Sequence, residues 1–111
     1  MYIILYNMSF KNQLKKLNID PKEYLKLAKK SAQRNNLNPD KLDFSTKDNK
    51  KLQYENISFG ATNYKDYIIY TLLKDPKKEE YRQRYQKSHQ AIKGDWKDKL
   101  SPNALSLKIN W

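Results

Sequence analysis

Cysteine is absent from this chain, so no disulfide can staple it and no thiolate can serve as nucleophile or metal ligand. Glycine occurs only at positions 60 and 94, and two isolated glycines cannot build a phosphate-cradling loop. With His89 the only histidine, a conventional zinc site lacks its ligands, and a polar contact on a helix edge is the simpler role. Arginine is scarce: Arg34, Arg82 and Arg84 stand beside 20 lysines, and arginine is the side chain that grips guanine in bidentate fashion. Base-specific readout is therefore disfavoured. The opening MYIILY is apolar for six residues, far short of the ~20 a membrane helix needs, and it lacks the basic flank and cleavage site of a signal peptide. A soluble protein made inside a cell is expected, with no membrane partner. Residues 1–7, ahead of Met8, read as an extension, poorly ordered or adding a strand to a neighbour's sheet.

What the chain does have is positive charge. Twenty-three basic residues against twelve acidic ones leave +11, enough to draw the protein towards polyanions, DNA or RNA first among them. The alternative is that lysine, like the eleven asparagines, reflects composition and solubility alone. At 111 residues the chain is one domain's worth.

Local signals outline an α+β order. Ser9 caps a short helix with Phe10, Leu14 and Leu17 on one side. Asp20, Pro21 and Glu23 open a longer one with a capping-box pattern, its inward stripe Tyr24, Leu27, Ala28, Ser31 and Ala32, with Lys22, Lys26, Lys29, Lys30 and Arg34 outside. Pro39 breaks that helix. Alternation at Leu42/Phe44, Leu52/Tyr54 and Ile57/Phe59 predicts a three-stranded antiparallel meander, with a tight turn at Glu55-Asn56 whose asparagine tolerates positive φ, and an exit at Gly60. Tyr64, Tyr67, Ile68, Thr71 and Leu72 predict a helix, and Asp75-Pro76 starts another with Tyr81, Tyr85, His89 and Ile92 on one stripe, ended by Gly94. The tail is ambiguous: Leu105, Leu107, Ile109 and Trp111 alternate as a strand, while Leu105 and Ile109 also suit a helix. The expected architecture is α+β: N-terminal helices, the meander, two further helices and a packed C-terminal tail, divided into residues 1–25 (extension and short helix) and a single domain over 26–111.

The stretch SFGATNYKDYIIY crowds rings around Gly60 and poses a choice between a base-stacking platform and a core. Helical spacing favours the core, with Tyr24, Tyr64, Tyr67, Tyr81 and Tyr85 inward and Tyr70 the candidate exposed ring. Phe59, Tyr64, Ile68 and Trp111 are expected to meet there. Asp66 is the residue most like a functional carboxylate, and equally suited to accept a tyrosine hydroxyl or to bridge to Arg82 or Arg84. No carboxylate cluster for Mg²⁺ accompanies it, and Ser88 and His89, adjacent on a helix, point about 100° apart. No enzyme activity and no cofactor are expected. Lys77, Lys78, Arg82, Arg84, Lys87 and Lys93 share one short span, which makes that helix the candidate for phosphate contact.

The ordered series Phe59-Gly60, Tyr64-Lys65-Asp66-Tyr67, Arg82 to His89, Trp96, Ser101-Pro102 and Trp111 resembles a family of small basic proteins of large DNA viruses and some tailed phages. The likeness covers roughly residues 26 to 111. Glu55-Asn56 replaces the Asn-Gly turn common in relatives, and Lys87-Ser88-His89 stands where many carry Arg-His. The resemblance implies a virion or minor capsid protein, made in the host cytoplasm, that bridges larger virion proteins and touches the genome. The alternative is a non-specific nucleic-acid-binding accessory protein of a virus or phage.

Overall fold

The computed structural model describes residues 9–90 and 100–111, the side chains of residues 89 and 90 excepted. Residues 1–7, Ile92, Lys93, Gly94 and Trp96, with the roles expected of them, lie outside the described residues, as does the His89 side chain. The fold is α+β. Helix α1 is Phe10–Lys16, capped by the Ser9 hydroxyl, which accepts the Asn12 N–H. Helix α2, Pro21–Arg34, is capped by Asp20, whose carboxylate accepts the N–H of Lys22. Tyr24, Ala28 and Ala32 are its fully buried positions, four residues apart on one face.

A 3₁₀ turn over Pro39–Lys41 leads into the meander of β1 (Leu42–Phe44), β2 (Lys50–Tyr54) and β3 (Ile57–Ala61), antiparallel in the order β1-β2-β3. Leu52 stands opposite both Phe44 and Phe59, and this row, with the neighbouring pair Leu42 and Tyr54, is the sheet's contribution to the core. Helix α3 is Tyr67–Leu72 and helix α4 is Lys78–Gln90. Before α4 the Asp75 carboxylate accepts the Lys77 N–H. The tail resolves its ambiguity as helix: Ser101 caps α5, Pro102–Leu105, which continues as a π-helical turn over Ser106–Asn110. Leu105 and Ile109 enter the core, and the Asn35 side chain on α2 donates to the Lys108 carbonyl at 3.0 Å.

The division at residue 25 is not a packing boundary. Phe10, Leu14, Ile19 and Tyr24 belong to the same core as Phe59, Ile68 and Ile109, and α2 runs through position 25.

Helices α1, α2 and α3 end in the same way. Asn18, Asn36 and Lys74 take positive φ (60°, 61° and 57°), and the next N–H reaches back to the carbonyls of Leu14, Ala32 and Tyr70 at 2.9, 2.9 and 3.0 Å. These are Schellman endings without glycine, with asparagine supplying two of the three left-handed residues. Helix α2 therefore stops at Arg34, ahead of Pro39, which follows the break rather than causing it. In the β2–β3 turn the positive φ falls on Glu55 (54°) and not on Asn56.

Gly60 has φ +81° inside β3, as expected of its exit role. A Cβ there would lie 3.1 Å from Asn110 Oδ1 and 3.4 Å from Lys51 Cβ. Strain and crowding add, so Gly60→Ala should cost more than about 1 kcal/mol in urea denaturation. An unchanged midpoint would show that the tail yields freely.

Candidate functional site

Asp66 is buried, 1% exposed, and four donors converge on its carboxylate. Oδ1 accepts the Ile69 N–H at 2.9 Å, the N-cap bond of α3. Oδ2 accepts the Tyr24 hydroxyl at 2.5 Å, the Lys51 ammonium at 3.0 Å and the Asn110 amide at 3.2 Å. The Asn110 amide also donates to Tyr24 Oη at 2.9 Å, and Lys51 donates to the Tyr64 carbonyl at 2.6 Å. Helix α2, strand β2, the loop before α3 and the tail are thus tied at one point. Burial first, and then the charge and hydrogen bond of Asp66, hold the Tyr24 phenol well above its usual range, so it stays a donor. This arrangement joins elements; with its oxygens taken by internal donors, Asp66 offers no open face to a reactant.

The bridge predicted from Asp66 to Arg82 or Arg84 is not formed, because Lys51, 3% exposed, holds the carboxylate instead. Sequence reasoning missed Lys51 and Asn110. In an alternating strand Lys51 stands on the face opposite Leu52 and Tyr54, the position of a solvated lysine, and its burial follows from chain elements distant in sequence closing over it.

The basic span of α4 is partly neutralised within its own helix. Arg82 lies 3.9 Å from Glu79 and Arg84 3.3 Å from Glu80, at i,i+3 and i,i+4. Arg82 and Lys78 also sit over the Tyr67 ring, at 4.7 and 5.5 Å from its centroid. Lys77 and Lys87 are exposed. Glutamates three and four residues ahead of the arginines were the sequence signal that could have shown this.

The aromatic residues are redistributed relative to expectation. Phe59 and Ile68 are core, but Tyr64 is 70% exposed, because the helix starts at its Asp66 cap and leaves Tyr64 in the preceding loop. Tyr67 is half-buried, its hydroxyl bonded to Glu79. Trp111 is also half-buried and meets α4 rather than Phe59, its ring stacked on Tyr85 at 4.2 Å with 8° between planes. Tyr70, expected to be free, lies 4.5 Å from Tyr81 and 6.3 Å from Trp111.

An open cationic surface lies on α2. With Tyr24, Ala28 and Ala32 turned inward, Lys22, Lys26, Lys29 and Lys30 are left to line a shallow groove of about 390 Å³ together with Leu25, Gln33 and Pro39. None of the four lysines forms a salt bridge among the described residues. Within Pro21–Arg34 the one acidic residue is Glu23.

Among the described residues no three His, Cys, Asp or Glu side chains converge as a metal set, and no helix is long and apolar enough to cross a membrane. The chain matches no protein-family model, no curated protein and no solved structure.

Proposed function

We propose that this protein is a non-enzymatic structural component of a virion that holds nucleic acid by its phosphates, without reading sequence, while bridging larger virion proteins. The observation that carries the nucleic-acid contact is the groove of α2, where four lysines with no salt-bridge partner among the described residues line one face of a helix anchored by its buried side. Lysine ammonium groups are point charges that attract phosphate and carry little base specificity. The ordered motif series from Phe59-Gly60 to Trp111 supports the virion setting. The enclosure of Asp66 by four donors supports a non-catalytic role.

Counterion release makes the test quantitative. If the four groove lysines each neutralise a phosphate, log K against log salt should slope at about −3.6, a loss of roughly 100-fold between 50 and 200 mM. Unrelated sequences should behave alike. Binding that resists salt, discriminates sequences by orders of magnitude, or is absent at low salt would overturn the nucleic-acid contact. Quantitative proteomics of purified virions tests the setting: enrichment at stoichiometric copy number is expected, and absence from virions would overturn it.

A further inference from the structure

We infer that the α2 groove takes double-stranded rather than single-stranded nucleic acid, gripped along its phosphate backbone. The inference rests on the nucleic-acid reading above and specifies its ligand. Proteins that hold single strands without sequence preference combine a cationic track with aromatic side chains on which successive bases stack. Among the described residues the groove has the track and no ring: its lining is lysine, glutamine, leucine and proline. The rings of Tyr70, Tyr81, Tyr85 and Trp111 are occupied with one another on α3, α4 and the tail, and the exposed Tyr64 is not part of the groove lining.

Without stacking, affinity comes from charge alone, and charge favours the denser polyanion. A duplex carries one negative charge per roughly 1.7 Å of axis, and each contact releases about 0.9 counterion against about 0.7 on a single strand. The spacing of the cations points the same way. Lys30 lies eight residues beyond Lys22, about 12 Å along a helix. A fixed row of this kind meets the regular phosphates of a duplex without having to order a flexible chain. Helix α2 is held rigid by Tyr24, Ala28 and Ala32 in the core.

The test titrates the full chain by fluorescence anisotropy against a 30-base-pair DNA duplex and a thymine 30-mer at 50 mM salt. Two charge-reversed variants run alongside: Lys26→Glu/Lys29→Glu in the groove, and Lys77→Glu/Lys87→Glu around α4 with the same change in net charge. The duplex is expected to bind at least tenfold tighter than the single strand. The groove variant should lose at least tenfold in duplex affinity and the α4 variant less than threefold, both with the parent's circular dichroism and melting temperature. Single-strand binding equal to or tighter than duplex binding would overturn this inference and leave the phosphate reading standing. Equal losses in the two variants would also overturn it, because the site would then not be the groove. Failure of the parent to bind either nucleic acid would overturn the reading on which it rests.

Discussion

Asp66→Asn should lower the free energy of unfolding by about 3–5 kcal/mol, because it strips the countercharge from a lysine that is 3% exposed. The amide cannot replace the carboxylate in either orientation. Placed with its oxygen towards Tyr24, Lys51 and Asn110, it turns an NH₂ on the Ile69 N–H and loses the cap of α3; flipped, it turns the NH₂ on three donors. Lys51→Met on its own leaves the buried carboxylate with three donors and no countercharge, and should also destabilise. The double variant Lys51→Met/Asp66→Asn should be less destabilised than the sum of the two, with a coupling of about 1–3 kcal/mol, since neither charge is then left buried alone. Urea denaturation of the four proteins in the cycle measures this. Additive losses, or a loss below about 1 kcal/mol in Asp66→Asn, would show that the ion pair does not tie the elements together.

Phe59→Ala should cost about 3–5 kcal/mol, the range for deleting a wholly enclosed ring, since Phe59 is 0% exposed and faces Leu52 across the sheet. Trp111→Ala should cost distinctly less, although both residues were expected in the same core. It is only partly buried, and its ring packs on Tyr85 and Tyr70 rather than in the enclosed core. Tyr64→Ala should change stability by less than about 0.5 kcal/mol, as surface substitutions do. This graded series, read from denaturation midpoints, locates the core on Phe59. Equal losses at Phe59 and Trp111 would place the tryptophan inside it instead.

What the sequence determined by itself was local. Ser9 and Asp20 with Pro21 begin helices where a short side-chain oxygen can take a free N–H. The three strands follow period-two alternation, and Gly60 takes the positive φ that its place at the end of the hairpin suggested. The lysines of the groove were legible as the outer face of α2, since helical periodicity alone separates them from Tyr24, Ala28 and Ala32.

Only the tertiary structure decided which of these features matter together. SPNALSLKINW satisfies both periodicities; it is helical because Leu105, Ile109 and Asn110 then face the core and the Asp66 carboxylate in one docking. Lys51 is buried and Tyr64 exposed, against their chemical types, because the lysine gains the Asp66 charge and the Tyr64 carbonyl while the ring is left in the loop ahead of the cap. Likewise the basic run of α4 looked richer in sequence than in space, since two of its cations are bridged to Glu79 and Glu80. Periodicity reports which face a residue occupies, but burial and free charge depend on what returns to cover that face. In this chain the returning groups are the tail and the Asp66 loop, Asp66 and Asn110 lying 42 and 86 residues from Tyr24 in sequence.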